Sequence, residues 1–312
     1  MKTVVITGCC GFIGNVVTHF CLERGWKVMG VDKMTYASNS DLSFYDLPNF
    51  TFLNKDICDL ERIPDCDYVI NIAAESHVGN SIADSGDFMR SNVEGVRHLL
   101  DLIRQKPENI VSKPILFHFS TDEVYGDGDQ YATEESPLNP SNPYSASKAA
   151  ADMLIHAWHR TYGNDYIILR PSNNYGMRQY PEKLIPLSVK LLERRKKIRL
   201  HNQGEPTRTW LHVEDTADAV ITILESGVKN EIYNVSGQVE QTNLETVRKI
   251  INCYSGEYRW QDWVDLDYIR PGQDVQYRIN DNKLRKLGWS PKRSFDDEIP
   301  AIVEHYRETY RW

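Results

Sequence analysis

Apolar runs and amphipathic segments alternate regularly through roughly the first half of the chain. Short apolar runs typical of buried strands occupy residues 4–6, 27–31, 68–72, 114–119 and 165–170. Apolar side chains recur at helical spacing in residues 12–21, 88–104 and 144–158, for example Val96, Leu99 and Ile103. Because strands and helices alternate without a long irregular gap, the pattern predicts an α/β fold built on a doubly wound parallel sheet.

A glycine-rich turn joins the first predicted strand to the first helix. Gly8 would permit the tight turn, Gly11 would let the backbone approach a pyrophosphate, and Gly14 would let the helix lie close to the strand. The N-terminus of that helix would add free N–H groups and a positive dipole. Strand, turn and helix therefore predict a dinucleotide site.

The end of the second predicted strand indicates which dinucleotide is bound. Asp32 lies near the roughly 20-residue offset at which a carboxylate binds the adenosine ribose hydroxyls. This carboxylate would repel the 2′-phosphate of NADP, so NAD is the predicted cofactor, although the neighbouring Lys33 acts against that preference. A glycine turn that binds no cofactor is the alternative.

Candidate catalytic groups follow the strand at residues 114–119. Thr121, Asp122 and Glu123 come where that strand should leave the carboxyl edge of the sheet, which is where open α/β sheets bind ligands. Tyr144 and Lys148 stand four residues apart, on one face of a predicted helix, and the ammonium is expected to lower the pKa of the phenol. The stretch thus offers a hydroxyl, two carboxyl groups and an activated phenol.

The regular alternation loosens after the strand at residues 165–170. We predict a Rossmann-type NAD-binding domain at residues 1–172, with a return segment near 213–236, and a smaller, interleaved substrate lobe that makes up most of residues 173–312. Arg208 and Arg270 could bind a diphosphate through their forked guanidinium groups. A surface ion pair is the alternative for each arginine.

Composition excludes several other classes of protein. With 312 residues, 41% hydrophobic and 26% charged, and a net charge of −8, the chain resembles an ordinary soluble protein large enough for two lobes. Its basic run at residues 194–197 is interpreted as a solvated helix end, so no nucleic-acid partner is expected. The six cysteines lack metal-ligand spacing, and His77 has no nearby second ligand, so no metal site is predicted. No leader segment or membrane span is recognised, and a cytoplasmic location is expected.

Motifs spread over nearly the whole chain resemble one family. Besides the glycine turn and the Tyr144–Lys148 pair, they are Asp32 to Thr35, Asp56-Ile57, Ala73 to Val78, Ser120 to Gly126, Asn173 to Gly176, residues 181–186, Arg208 to Trp210, Tyr233-Asn234 and Arg270 to Gly272. The sequence resembles the extended short-chain dehydrogenase/reductases, and among them the nucleotide-sugar 4,6-dehydratases. Thr121-Asp122-Glu123 is the most specific motif, because epimerases of the superfamily usually lack the adjacent acids.

The resemblance implies both a reaction and a set of ligand-binding residues. The reaction is dehydration of a nucleoside-diphosphate-glucose to its 4-keto-6-deoxy product, in which Tyr144 with Lys148 and Thr121 assists C4 oxidation, Glu123 removes the C5 proton and Asp122 protonates the leaving hydroxyl. The implied cofactor-binding residues are Gly8, Gly11, Phe12, Ile13, Gly14, Asp32, Lys33, Met34, Thr35, Asp56, Ile57, Ile72, Ala73, Ala74, Glu75, Ser91, Tyr144, Lys148 and Asn174. The implied substrate-binding residues are Ser76, Thr121, Asn173, Lys183, Leu184, Arg199, Leu200, His201, Arg208, Asn234 and Arg270.

Two points stay open at the level of sequence. The segment Arg199-Leu200-His201, implied to meet the nucleobase, departs from the family pattern, so dTDP-glucose is the expected substrate and a UDP-sugar its main rival. A 4-epimerase and a non-catalytic NAD-binding regulator are the alternative functions. Apolar residues on more than one face of the helices near Val93 to Ile103 and Tyr144 to Lys148 predict a homodimer.

Overall fold

The computed structural model describes residues 1–39, 42–106, 113–128, 130–237, 239–256, 259–268 and 274–308. Its strands are β1 (Thr3–Thr7), β2 (Lys27–Asp32), β3 (Phe50–Asn54), β4 (Tyr68–Asn71), β5 (Ile115–Phe119), β6 (Tyr166–Pro171), β7 (Asn173–Tyr175), β8 (Ile198–His201), β9 (Thr207–His212), β10 (Glu231–Val235), β11 (Val239–Thr242) and β12 (Val264–Tyr268). Its α-helices are α1 (Phe12–Glu23), α2 (Val78–Ala83), α3 (Gly86–Phe88), α4 (Gly95–Arg104), α5 (Pro143–Tyr162), α6 (Leu184–Glu193), α7 (Val213–Ser226), α8 (Asn243–Ser255), α9 (Asn282–Arg285) and α10 (Phe295–Glu308).

A seven-stranded sheet organises the molecule. Its strand order is β10-β6-β5-β4-β1-β2-β3, and every neighbouring pair is parallel. The order reverses direction between β1 and β4, which creates a crevice at the carboxyl ends of these strands. The predicted doubly wound α/β fold is confirmed.

Alternate residues of the central strands are buried on opposite faces of this sheet. In β1, Val4 and Ile6 belong to the apolar cluster that includes α1 and α7, whereas Val5 belongs to the cluster that includes α4 and α5. Strands buried on both faces explain why the sequence shows continuous apolar runs there instead of an alternation.

A smaller lobe is built from residues that follow β6. It contains a three-stranded sheet in the order β11-β9-β7 and a two-stranded sheet of β12 and β8, with a separate apolar cluster that includes α6, α8 and α10. The chain returns to the large sheet in between, because α7 contacts α1 and β10 pairs with β6. The division of the chain at residue 172 remains a prediction.

The start of α5 is fixed by local capping interactions. The Asn142 side chain accepts a hydrogen bond from the Ser145 N–H, Ser145 Oγ and the Asn142 N–H lie 3.2 Å apart, and Pro143 occupies the first turn. The helix ends at Gly163 in the left-handed conformation. Capping thereby sets Tyr144 and Lys148 in the first two turns of a long helix.

The helix predicted at residues 88–104 is interrupted by a π-helical turn at Met89–Glu94. Here the Asn92 amide bonds both the N–H and the carbonyl of Glu75, at 2.9 Å each, and also bonds Ser147 Oγ at 2.9 Å. Such turns often occur at functional sites. This one ties the end of β4 to α5.

Two further sequence interpretations concern surface features. The basic run at residues 194–197 is exposed and follows α6, as expected for a solvated helix end. Within the described ranges, none of the helices has both the length and the apolar character that crossing a bilayer requires.

Candidate active site

A cleft lies along the carboxyl ends of β1, β2, β4, β5 and β6. Its floor is the turn after β1, where Gly8 has φ +72° and a Cβ would lie 2.7 Å from the Ala73 nitrogen. A Cβ on Gly14 would lie 1.9 Å from the Gly8 carbonyl oxygen. Gly11 caps α1 without a side chain, which leaves the N–H groups of the first turn available for phosphate oxygens.

Asp32 lies at the cleft end of β2 and organises the loop that follows. Its carboxylate accepts hydrogen bonds from the N–H groups of Cys10 and Met34, at 2.9 and 2.8 Å, and from the Ser38 hydroxyl at 3.2 Å. A carboxylate offers about four lone-pair positions, so one remains for a ligand hydroxyl.

Lys33 lies beside this site within a group of polar side chains. Its ammonium donates to Ser91 Oγ at 3.1 Å and lies 3.6 Å from a Glu75 oxygen and 3.9 Å from an Asp56 oxygen. Two carboxylates therefore offset the positive charge that would otherwise favour a 2′-phosphate. The electrostatic balance remains on the side of NAD.

The adjacent acids begin a short 3₁₀-helix, Asp122–Tyr125, directly after β5. Thr121 caps it, since its hydroxyl accepts from the Glu123 N–H at 3.3 Å and donates to Asp122 Oδ1 at 3.2 Å. Burial, followed by the charge of Glu123, raises the pKa of Asp122 to about 7. The pKa of Glu123 is also raised, chiefly by burial, while Arg208 and Lys183 oppose the shift.

The tyrosine and lysine of α5 differ from the expectation in one respect. Burial and then the charge of Glu123 raise the pKa of Tyr144, and the contact with the Thr121 hydroxyl only partly opposes this. Lys148 Nζ donates to the Phe119 carbonyl at 2.5 Å and does not lower the phenol's pKa. The predicted lowering of the phenol's pKa is wrong, because burial and the charge of Glu123 raise it.

Two cleft atoms are buried without a hydrogen-bond partner among the described residues: Asp122 Oδ2 and Asn173 Oδ1. Unsatisfied buried oxygens are uncommon in folded proteins and often mark a site completed by a ligand. Both residues line the cleft. They fit a ligand that carries hydroxyl groups.

Most of the residues predicted from the sequence line this one cleft. They are Gly8, Gly11, Phe12, Ile13, Gly14, Asp32, Lys33, Thr35, Asp56, Ile57, Ile72, Ala73, Ala74, Glu75, Ser76, Ser91, Thr121, Asp122, Glu123, Tyr144, Lys148, Asn173, Asn174 and Lys183. The side-chain amide of Asn174, however, is already bonded to Ser172 and Thr216.

Two predicted substrate contacts are corrected by the structure. Asn234 is fully buried, its amide donates to the carbonyls of Ala132 and Asn280, and its oxygen accepts from Tyr125, so no polar group is left for a ligand. Leu200 is buried in the apolar cluster of the smaller lobe, because alternate residues of β8 face that core.

The other predicted residues outside the cleft lining have varied surroundings. Met34 is packed against the large-sheet core and Leu184 against the smaller one, while Arg199 is exposed near Asp265 and His201 is partly buried at the end of β8. Arg208 donates to the carbonyls of Thr207, Asp274 and Val275. Arg270, with Pro271 and Gly272, lies outside the described residues.

Sequence reasoning missed a polar group beside the acids. The Tyr277 hydroxyl lies 3.4 Å from Glu123 Oε2 and also donates to Asp274, while the Arg208 guanidinium lies 4.7 Å from the Tyr277 ring centre. Residues that line the cleft but were not predicted are Val31, Ala37, Ser38, Lys55, Phe119, Ser120, Pro171, Ser172, Gln179 and Tyr180. The polar residues directly after β5 and β6, Ser120 and Ser172, could have been found from their strand-end positions.

His77 and the cysteines are of residue types that bind metal ions in proteins. His77 caps α2, where its Nδ1 accepts from the Asn80 N–H at 3.1 Å. Cys9, Cys10 and Asp32 bring two sulphurs and a carboxylate oxygen within 4.8 Å of one another. Since that carboxylate already accepts the N–H groups of Cys10 and Met34, the absence of a metal site remains our prediction.

Comparison with known proteins relates this geometry to a family. The family model described as GDP-mannose 4,6 dehydratase matches residues 5–302. The dTDP-glucose 4,6-dehydratase of Neisseria gonorrhoeae is 40% identical, over 98% of this chain and 95% of that protein. The chain belongs to the nucleotide-sugar 4,6-dehydratase family. The sequence-based assignment to this family is thereby confirmed.

Solved structures agree with that assignment. The dTDP-glucose 4,6-dehydratase DesIV of Streptomyces venezuelae, crystallised with NAD, superposes with a TM-score of 0.91 at 36% identity, over 98% of this chain and 97% of that one. The UDP-glucuronic acid 4-epimerase of Bacillus cereus has a TM-score of 0.88 at 22% identity, over 99% and 100% of the chains, and shares the fold alone. The predicted enzyme class, an NAD-dependent hydro-lyase, is confirmed over the epimerase.

Proposed function

We propose that this enzyme converts dTDP-glucose to dTDP-4-keto-6-deoxyglucose. The observation that carries the proposal is the pair of adjacent acids, the buried Asp122 and the partly buried Glu123, beside Tyr144 in one cleft. The relatives named above act on dTDP-glucose according to their names. An epimerase needs the tyrosine and the cofactor but has no use for two adjacent acids.

The first chemical step depends on Tyr144. The glycine turn and Asp32 would hold NAD, which would accept a hydride from C4 and return it to C6. Tyr144 takes the proton of the sugar O4 hydroxyl, while Thr121 supplies a second hydrogen-bonding hydroxyl beside it. Because burial and the charge of Glu123 raise the pKa of the phenol, the step requires a positive charge nearby. We assign that role to Lys148, one turn further along α5, when the O4 hydroxyl is bound beside Tyr144.

The two acids divide the elimination between them. Oxidation at C4 acidifies the C5 proton, so Glu123, assisted by the charges of Arg208 and Lys183, acts as the base. Burial and the charge of Glu123 raise the pKa of Asp122 to about 7, so this carboxyl group can hold a proton near neutral pH and donate it to the departing C6 hydroxyl. One acid and one base side by side are what elimination of water needs.

The rest of the sugar nucleotide extends towards the smaller lobe. Lys183 donates to the Ser76 carbonyl at 2.9 Å and to its hydroxyl at 3.2 Å, and Asn173 has a free buried oxygen. These groups are suited to the sugar and its phosphates. Arg199 and His201 remain the proposed neighbours of the nucleobase, and Arg208 and Arg270 those of the diphosphate.

The proposal is tested by comparing the products formed from three different sugar nucleotides. The protein with NAD is incubated separately with dTDP-glucose, UDP-glucose and GDP-mannose, and the alkali-developed absorbance of a 4-keto-6-deoxy sugar is followed. We expect the highest kcat/KM with dTDP-glucose. Preference for UDP-glucose would overturn the nucleotide assignment, and formation of an epimer would overturn the reaction.

NAD is expected to bind more tightly than NADP. Asp32 ends β2 with its carboxylate towards the cleft, and Glu75 and Asp56 offset Lys33. Dissociation constants of both cofactors, measured by calorimetry, check this preference. Asp32→Asn should narrow the difference, and equal affinity in the wild type would contradict the role of the carboxylate.

We also propose a homodimer, formed through α4, α5 and the π-helical turn. Met153 on α5 is 59% exposed and Met89 is 43% exposed, which is unusual for large apolar side chains on helices. Met153→Glu should yield monomers in sedimentation at micromolar concentration. The control Leu47→Glu, at an exposed apolar residue outside these helices, should stay dimeric, and a monomeric wild type would refute the dimer.

The proposed cellular location is the cytoplasm. The six cysteines all have free thiols, three of them buried in the protein interior. Proteins that keep reduced, buried cysteines usually work in reducing compartments.

A further inference from the structure

A row of buried polar side chains crosses the large sheet behind Lys148. Thr7 on β1 is opposite Asn71 on β4, and Asn71 is opposite His118 on β5. Thr7 Oγ1 lies 2.6 Å from Asn71 Oδ1, Asn71 Nδ2 lies 3.0 Å from His118 Nδ1, and His118 Nε2 lies 3.3 Å from Lys148 Nζ. All four residues are buried.

Polar side chains at this place in an α/β sheet lower the free energy of unfolding unless they are hydrogen-bonded. The residues two places earlier on the same face, Val5, Val69 and Leu116, are apolar and belong to the core under α4 and α5. Buried polar groups destabilise a fold unless each has a hydrogen-bond partner. Lys148 supplies the last hydrogen-bond partner in the row, at His118 Nε2. The position of the lysine side chain is therefore coupled to the positions of the side chains in the row.

We propose that His118 is a positioning residue for the dehydratase reaction, which fixes the place and the charge of the Lys148 side chain. This inference rests on the proposed role of Lys148 beside Tyr144. His118 does not line the cleft, so it acts through the lysine and not on the substrate.

The imidazole can serve both charge states of the amine. His118 is neutral, because burial and the charge of Lys148 hold its pKa well below the usual range. A neutral imidazole has one nitrogen that donates and one that accepts. In the observed arrangement Asn71 Nδ2 donates to Nδ1, so the Nε2–H faces Lys148 and suits a neutral amine. When Lys148 is an ammonium, the Asn71 amide turns over, so that Nδ1 donates to the Asn71 oxygen and Nε2 accepts from the ammonium.

The row does not lead to solvent within the described residues. It ends at Thr7, whose hydroxyl oxygen accepts from the Ala73 N–H at 3.3 Å, and Ala73 lines the cleft. A path that ends inside the protein cannot deliver protons from water. Orientation of Lys148 and stabilisation of its ammonium are the functions that remain.

Other charged groups around Lys148 are fixed independently of His118. Asp152, one turn further along α5, is paired with Arg170 at 3.0 Å and favours the ammonium. Asp122 and Glu123 lie beyond Tyr144. The remaining near partner is the Phe119 carbonyl, so removal of His118 leaves the ammonium with one near acceptor and should lower its pKa below about 8.

The test measures the ionisation of Lys148 and the pH profile together. We would follow the Lys148 side chain by NMR in lysine-labelled protein, assigned with Lys148→Arg, and record the rate of the first NADH absorbance against pH. His118→Phe should move the lysine titration and the alkaline limb of the rate down by about one pH unit. His118→Gln keeps a hydrogen-bond acceptor at this position, so both titrations should lie close to their wild-type pH values.

Two further variants separate this effect from loss of packing. Leu116→Val changes the same face of the same strand without touching Lys148, and should leave both titrations unmoved. Asn71→Asp places a negative charge behind His118 and should move them upward, which tests the inference even if His118→Phe does not fold. If the Lys148 titration does not move in either His118→Phe or Asn71→Asp, the inference about His118 is overturned. If the wild type forms no keto sugar, the proposed function is overturned instead. The NMR titration would then still decide the role of His118.

Discussion

Glu123→Gln is expected to stop the reaction after oxidation of the sugar. On mixing with dTDP-glucose, NADH absorbance should appear and persist, while the 4-keto-6-deoxy product should form at least 10² to 10⁴ times more slowly than in the wild type, the usual contribution of a general base. Stopped-flow absorbance and product analysis measure the two steps separately.

The structure explains why the first step should survive this substitution. Glutamine has nearly the size of glutamate and can keep the contact with Tyr277. It lacks the carboxylate that accepts the C5 proton. The charge of Glu123 also raises the pKa of Tyr144. Its removal should lower the phenol's pKa and increase the fraction of phenolate that can accept the O4 proton, so oxidation should proceed at least as fast.

Asp122→Asn is the matched control, because it removes the acid and keeps the base. In D₂O this variant should return sugar nucleotide with deuterium at C5 but little product, whereas Glu123→Gln should show no exchange. The wild-type product should carry deuterium at C5. If Glu123→Gln formed labelled product at nearly the wild-type rate, the base would have to be Asp122 or a bound water.

The parts of the fold that the sequence predicts are those governed by local rules. Gly8 and Gly14 are needed because a Cβ at either position would overlap backbone atoms, so the glycine turn is readable without a structure. Strands buried on both faces appear as apolar runs, and Asp32 follows one of them. The NAD half of the cleft therefore follows from the sequence.

The parts that were missed depend on contacts between distant segments. Tyr277 reaches Glu123 across 154 positions of sequence, and neither residue carries a local pattern that predicts the other. Asn234 has the residue type expected of a ligand contact, yet its amide is used by Ala132 and Asn280. Residue type and position after a strand indicate a site only where no other segment of the protein already bonds the side chain.

Lys148 shows the same limit within a single helix. Helical spacing correctly sets it on the face of α5 that carries Tyr144, but spacing does not reveal the Phe119 carbonyl and His118 that bind its amine. The phenol's pKa is raised by burial and by the charge of Glu123. The ionisation of Tyr144 therefore depends on groups from several segments, which leads to the second large prediction.

Tyr144→Phe is expected to abolish the first step instead of the second. No NADH absorbance should build on mixing, and turnover should fall by roughly 10² to 10⁴, because no group remains to take the proton from O4. The wild-type rate should fall as the pH rises through the Lys148 pKa of about 8, because the ammonium that stabilises the developing phenolate then loses its charge. The residual rate of the variant should lack this falling limb, because it forms no phenolate.

Tyr125→Phe is the control for this substitution, since it removes another buried phenol in the same region. The Tyr125 hydroxyl bonds Asn234 at 2.8 Å and Arg170 at 2.7 Å and does not line the cleft, so its loss should lower stability by about 1–3 kcal/mol and leave the NADH signal intact. If Tyr144→Phe instead built up NADH like Glu123→Gln, the proton at O4 would be taken by another group. Thr121, whose hydroxyl contacts the phenol, would then be the residue to vary.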